Sequence, residues 1–275
     1  MKIIKEINQD ILNSDICLIP TMGALHEGHL SLIEEGKKLG LLTMVSIFVN
    51  EKQFNEEEDF NSYPRPIEDD IKILQDLNID YLFIPENNYI YTENAFEIID
   101  SGVLGKKYEG SSRPGHFDGV LTVVNRLFEL IKPKVAIFGK KDAQQLFLIK
   151  DLVFKKRYEI EIVGGKTIRE GSGLALSSRN LLLSDSGKDK ATLLYKILKE
   201  VKKDFFDRRE LYDFEVFTSK YPNIGIDYIE ILDLETFSKP TEKTYEYIIL
   251  LAGIIEDVRL IDNIEFKLEG EWKKL

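Results

Sequence analysis

From Ile16 to Val163 the chain alternates short, continuously apolar runs with longer amphipathic ones, and this alternation leaves few folds open. Residues 16–20, 43–49, 81–85, 135–138 and 160–163 read as strands, rich in Ile, Val, Leu and Phe. Residues 29–39, 67–77, 119–131 and 143–154 read as helices. In 67–77, for example, Ile67, Ile71, Leu74 and Leu77 recur at turn spacing. Strands separated by helices need crossover connections and therefore a parallel sheet. Continuously apolar strands are what a sheet covered on both faces requires. Ligands of such open sheets bind beyond the carboxyl ends of the strands, so the residues just after each run are where chemistry is expected.

The pattern changes at Arg169-Glu170-Gly171-Ser172-Gly173, where two glycines and a serine mark a hinge. A charged helix over 185–207 and a shorter one over 210–220 follow. Three strand candidates come next, at 226–232, 245–251 and 258–263. Helices followed by strands imply a separate α+β unit. The expected architecture is a Rossmann-like α/β domain over 1–169 and a smaller α+β domain over 170–275.

Charge narrows the partners. The 275 residues carry 37 basic and 48 acidic side chains, a formal net charge of −11. A broad face for nucleic acid needs the opposite balance, so no nucleic-acid partner is expected. The one cysteine, Cys17, lies inside Ile16-Cys17-Leu18-Ile19, which excludes an internal disulfide and reads as a small buried hydrophobe. The N-terminus lacks the apolar core of a signal peptide, and no window is long and apolar enough to span a membrane. A cytoplasmic location without a membrane partner is expected.

The sharpest segment is Pro20-Thr21-Met22-Gly23-Ala24-Leu25-His26-Glu27-Gly28-His29, between the first predicted strand and helix. Free backbone N–H groups and the helix dipole favour a phosphate there. Glycine permits close backbone approach, and histidine donors can neutralise charge that builds on a phosphate. After the second strand, Asn50-Glu51-Lys52-Gln53-Phe54 places an amide, both donor and acceptor, at the same sheet edge. Asp69-Asp70 offers hard oxygen donors of the kind magnesium takes, although acidic residues early in a helix also simply favour its dipole. Arg113 and His116 precede another helix, with anion binding and plain structural packing equally open. Gly139-Lys140-Lys141-Asp142 follows a strand and opens a helix, where lysine is a good point charge for phosphate. Ser177-Ser178-Arg179, past the hinge, suits a phosphate clamp.

Together these residues resemble the pantothenate synthetase, or pantoate–β-alanine ligase, family. His26-Glu27-Gly28-His29 looks like the HIGH-type signature of adenylate-forming nucleotidyl transferases, and the longer string from Pro20 to His29 is characteristic of that family. The resemblance runs in one order through to Arg259-Leu260-Ile261-Asp262-Asn263. It implies an ATP-dependent ligase that adenylates pantoate, releases pyrophosphate, and lets the β-alanine amine displace AMP to give pantothenate. It implies that His26, His29 and Lys141 are catalytic. ATP would touch Met22, Gly23, His26, His29, Gly139, Lys141, Asp142, Ile168, Leu176, Ser177, Ser178 and Arg179, and pantoate would be held by Gln53 and Gln145. It also implies Mg2+ as the companion of ATP, with protein ligands left open, a small domain that closes over the site, and a homodimer. The chain departs from the family pattern at Glu51 and Lys52, where Pro and a small or apolar residue are usual. Ser172 stands where Asp is common, and Glu256-Asp257 stands where small residues are common. Two rival readings stay open: a transferase of the same superfamily acting on a phosphorylated precursor, and a nucleotide-binding regulatory protein without turnover.

Overall fold

A buried parallel sheet forms because each apolar run supplies side chains to both of its faces. In β2 (Ile16–Thr21), Ile16 and Leu18 enter one core while Cys17 and Ile19 enter the other, and all four are fully buried. The computed structural model describes residues 1–55, 57–92, 96–208 and 214–268. It divides into two units, Met1–Lys166 and Thr167–Leu275. The division falls just after the last strand of the sheet. It assigns Thr167, Ile168 and Arg169 to the second unit, where Arg169 is tied to Asp262.

The first unit holds β1 (Lys2–Ile4), β2, β3 (Leu42–Ile47), β4 (Tyr81–Phe83), β5 (Val135–Gly139) and β6 (Glu161–Gly165), in the order β1-β4-β3-β2-β5-β6 with every pairing parallel. Its helices are α1 (Gln9–Leu12), α2 (Glu27–Lys37), α3 (Glu57–Ser62), α4 (Ile67–Asp76), α5 (Asn87–Ile90), α6 (Glu109–Ser112), α7 (His116–Ile131) and α8 (Ala143–Lys156). One face of the sheet packs on α7 and α8 through Val120, Val124, Phe128 and Ile149. The other packs on α2 and α4 through Leu32, Ile33 and Leu74. After β2 the chain moves to β3 on one side, and after β5 it moves to β6 on the other. β2 and β5 are neighbours, so the strand order switches direction between them. The crevice at the carboxyl ends of those two strands is where an open α/β sheet binds ligands.

The second unit is an antiparallel sheet, β7 (Gly225–Asp233), β8 (Glu246–Ile255) and β9 (Val258–Lys267), with α9 (Asp185–Arg208) and α10 (Phe214–Lys220). Ala191, Leu194, Leu198 and Phe205 of α9 share a core with Ile249, Leu251, Leu260 and Phe266 of the sheet. The residues before Phe214 in the predicted 210–220 helix lie outside the described residues.

Cys17 is a structural thiol. It is fully buried beside Gly36 of α2, and burial pushes it up to about 11. The sequence pattern missed β1, which is short and half-exposed and holds its place by pairing Ile4 with Phe83.

Candidate active site

The turn between β2 and α2 is built from backbone that most residues would resist. Gly23 has φ +80°, Ala24 has φ +52°, and a Cβ on Gly23 would lie 2.9 Å from Asp70 Oδ2. Thr21 Oγ1 donates to the Ser46 carbonyl at 2.8 Å and accepts from Gly23 N at 3.2 Å. Asp70, in the first turn of α4, accepts from Ala24 N at 2.9 Å and Leu25 N at 2.8 Å. His26 caps α2 with extended backbone. Its Nδ1 accepts from Gly28 N at 3.1 Å, and His29 Nδ1 receives His26 N at 3.4 Å. Gly28 is required by that cap, because a Cβ there would lie 2.8 Å from the His26 ring.

This geometry narrows the expectation of free backbone donors. The N–H groups of Gly23, Ala24, Leu25, His26, Gly28, His29 and Leu30 all have partners within the turn or from Asp70. Because both imidazoles accept through Nδ1, each carries its proton on Nε2. The imidazole Nε2–H groups are therefore donors that this turn can offer a ligand. Their rings lie 4.1 Å apart.

The histidines are also neutral. Burial lowers His26, reinforced by the Lys141 charge. Burial, then its neighbour His26, lowers His29 to about 4. Asp142 pulls both the other way. Formal positive charge at this edge thus comes from Lys141, whose Nζ lies 3.6 Å from Asp142 Oδ1 and whose side chain is mostly buried. Lys141 stands just after β5, across the strand-order switch from the histidine turn. The neighbouring Lys140 instead lies against the Gly164 backbone in β6.

The second wall follows β3. Asn50 caps a 3₁₀ turn, Glu51–Gln53, and is fully buried. Its amide donates to Gln53 Oε1 at 3.2 Å and to the Gly119 carbonyl at 3.0 Å, while its oxygen receives the Tyr91 hydroxyl at 2.6 Å. Gln53 Nε2 reaches Met22 Sδ at 3.1 Å, linking this wall to the histidine turn. His116 is structural here. Arg113 donates to its Nε2 at 3.1 Å, so Nδ1–H donates to the Gln53 carbonyl at 2.8 Å. Gly119 allows α7 to touch the turn, since a Cβ would stand 2.2 Å from the Lys52 carbonyl oxygen.

Asn50 and Tyr91 were not singled out from sequence as functional. The Asn50-x-x-Gln53 spacing, which puts a cap and its amide partner on one turn, is the signal that could have found Asn50. Glu51 and Lys52 leave Gln53 undisturbed: Glu51 faces solvent and Lys52 lies over the rings of Tyr91 and Phe96 at 4.9 and 5.2 Å. Gln144 is committed to backbone groups of Leu104, Lys107 and Glu109. The side chain of Gln145, half-buried beside it, makes no hydrogen bond among the described residues.

Asp69 and Asp70 do not form a metal pair. Asp70 is spent on two backbone donors, and Asp69 is exposed and bonded to Lys72. Among the described residues no group of three His, Cys, Asp or Glu side chains is placed to hold a metal ion.

In the second unit, the segment after Thr167 is held by Arg169. Its guanidinium makes a bidentate pair with Asp262 at 2.6 and 2.8 Å, bonds the carbonyls of Gly173 and Asn263, and lies 3.9 Å from the Tyr195 ring centre. Leu176 N bonds the Ile168 carbonyl, and Ser177 caps the 3₁₀ turn Ser178–Leu182 by accepting from Arg179 N. Ser172 accepts from Leu174 N, a bond that an Asp there would also make. Glu256 bonds Ser184 N and Oγ at the start of α9, which gives the departure at this hairpin a structural role.

The sequence model described as pantoate-beta-alanine ligase matches residues 1–265. The chain is 41% identical over 269 residues to the pantothenate synthetase of Thermosipho africanus, covering 94% of this chain and 96% of that protein. It is equally identical over 268 residues to the Fervidobacterium nodosum enzyme of the same name, covering 94% and 95%. Among solved structures, the pantothenate synthetase of Thermus thermophilus superposes with a TM-score of 0.86 at 35% identity, covering 96% of this chain and 99% of that one. The pantoate-beta-alanine ligase of Francisella tularensis, complexed with beta-gamma ATP and beta-alanine, gives 0.80 at 37%, covering 96% and 97%.

Proposed function

The chain belongs to the pantoate–β-alanine ligase family, and on that premise we propose that it condenses pantoate with β-alanine at the expense of ATP. The observation that carries the reading is the pair of neutral Nε2–H donors at the β2–β5 switch, close enough to Lys141 to feel its charge, with the amide wall of Asn50 and Gln53 joined to the same turn through Met22. Neutral imidazoles donate hydrogen bonds without holding phosphate too tightly, and Lys141 supplies the charge.

A carboxylate oxygen of pantoate attacks the α-phosphorus, and the bond to the bridging oxygen of pyrophosphate breaks. The β-alanine amine then attacks the acyl carbon, loses a proton, and AMP departs with the former carboxylate oxygen. Gln53 and Gln145 hold pantoate. His26, His29 and Lys141 hold the transferred phosphate, with Met22, Gly23, Gly139 and Asp142 also against ATP. No protein nucleophile is needed, since positioning and charge compensation supply the catalysis. Ile168, Leu176, Ser177, Ser178 and Arg179 remain in this proposal as further ATP contacts. Magnesium bound to the triphosphate would offset its charge.

The amide wall favours this reading over a transferase for phosphorylated precursors. Gln53 and Asn50 suit a hydroxy acid and bring no cation for a second phosphate. The test is AMP formation from ATP and magnesium with pantoate, with and without β-alanine, and pantothenate confirmed by mass spectrometry. AMP that requires both small molecules supports the ligase, and ATP binding without turnover overturns it. The same reading places the protein in the cytoplasm as a homodimer, which light scattering of the purified chain would check. No helix among the described residues is long and apolar enough to cross a membrane.

A further inference from the structure

We propose that Asp70 is a positioning residue for adenylation: it fixes the β2–α2 turn so that His26 and His29 present their Nε2–H donors to the phosphate. This rests on the functional reading above for the identity of the phosphate, but not for the geometry.

Asp70 is 1% exposed, and a carboxylate so buried must be compensated by hydrogen bonds. Its hydrogen-bond partners among the described residues are Leu25 N on Oδ1 and Ala24 N on Oδ2. It starts in the first turn of α4 yet reaches 45 residues back along the chain to the turn that opens α2. The turn needs such a fixture. Gly23 and Ala24 both have positive φ, and Ala24 carries a Cβ that disfavours it. Two successive N–H groups in such a turn also form a natural anion nest. Asp70 fills that nest, so an incoming phosphate is directed past it to the imidazoles. Leu25 is followed directly by His26, whose extended backbone starts both histidine caps. A shift of the turn therefore turns both donors.

The experiment compares wild type, Asp70→Asn and Asp70→Glu in two readouts. The first is a nitrogen-15 NMR titration of the histidines without substrate. Wild type should show Nε2–H tautomers and His29 titrating at about 4. Asp70→Asn sets an amide donor against a backbone donor. The loosened turn should admit water and move His29 toward 6.5. The second readout is steady-state pyrophosphate release with ATP, pantoate and β-alanine. Its kcat should fall about 100-fold in Asp70→Asn, as expected for a donor misplaced by about 1 Å. The pantoate KM, set on the other wall, should stay within about threefold. Asp70→Glu keeps the carboxylate and should recover a large part of both properties.

A folded Asp70→Asn with an unchanged His29 titration and near-normal pyrophosphate release would overturn the proposal. If that variant does not fold, Asp70→Glu decides by the same readouts: the wild-type titration and a rate within tenfold support it, and loss of either overturns it. Wild-type protein that releases no pyrophosphate would sink the functional reading alone, and the NMR titration would still decide the role of Asp70.

Discussion

Gly119→Ala is the substitution whose sign separates local propensity from the packing that builds the site. Gly119 lies within α7 at an ordinary helical position, where alanine favours a helix by about 1 kcal/mol over glycine. On propensity alone the change stabilises. The structure predicts the reverse. A Cβ would stand 2.2 Å from the Lys52 carbonyl oxygen, 2.4 Å from its carbon and 2.7 Å from Gln53 N, all backbone atoms with no rotamer to yield. Reaching even 3.0 Å requires a displacement of at least 0.8 Å. The 3₁₀ turn that carries Gln53 must absorb it. That movement strains the Asn50 bond to the Gly119 carbonyl and the His116 bond to the Gln53 carbonyl. Overpacking of this kind costs about 1–3 kcal/mol, so the net effect on stability is a modest loss. The effect on activity is larger, because a misplacement near 1 Å costs about 100-fold. Steady-state pyrophosphate release at saturating ATP should show kcat/KM for pantoate reduced about 100-fold. ATP affinity by calorimetry should change far less, within about fivefold, since the Gln53 turn reaches the histidine turn through the Met22 Sδ contact. A Gly119→Ala protein with wild-type pantoate kinetics and an unchanged or raised Tm would refute the packing argument.

Three further outcomes follow from the same geometry. His29→Ala removes an Nε2–H donor and should slow pyrophosphate release by about 100- to 1,000-fold while the circular dichroism spectrum stays unchanged; near-normal release would remove His29 from the mechanism. His29 has a folded pKa of about 4 against an ordinary 6.5, so the unfolded chain takes up its proton first. Its contribution is full above pH 6.5 and is lost as pH falls toward 4, by at most about 3 kcal/mol. Urea midpoints measured across that window should fall less steeply in His29→Gln than in wild type. Asp262→Ala leaves the Arg169 guanidinium without its bidentate partner. It should destabilise the second unit by roughly 3 kcal/mol in thermal unfolding, and a loss below 0.5 kcal/mol would mean that the pair is not the anchor of that segment.

The sheet was legible because burial on both faces writes itself into the sequence as unbroken apolar runs, and every predicted strand of the first unit lies in it. Boundaries slipped where a cap decides them. α2 starts at Glu27 because His26 is its cap, and α7 starts at His116, ahead of the apolar face that marked it. The candidate segments were visible at strand ends, but the bonds their atoms make were not. Sequence cannot show that the backbone donors of the histidine turn are consumed by Asp70 and by the imidazoles themselves. Nor can it distinguish His116, which braces a carbonyl, from His26 and His29, which present donors. Asp70 looked like a helix-dipole charge or a metal ligand because its partners lie 45 and 46 residues away.

The central claim is that one carboxylate oxygen of pantoate passes through a bond to phosphorus and leaves with AMP. Pantoate labelled with oxygen-18 in its carboxylate, turned over with ATP and β-alanine, tests it by mass spectrometry of the products. The account predicts one heavy oxygen in AMP and one retained in the pantothenate amide carbonyl. Unlabelled AMP, with the expelled heavy oxygen recovered in pyrophosphate or water instead, would contradict it.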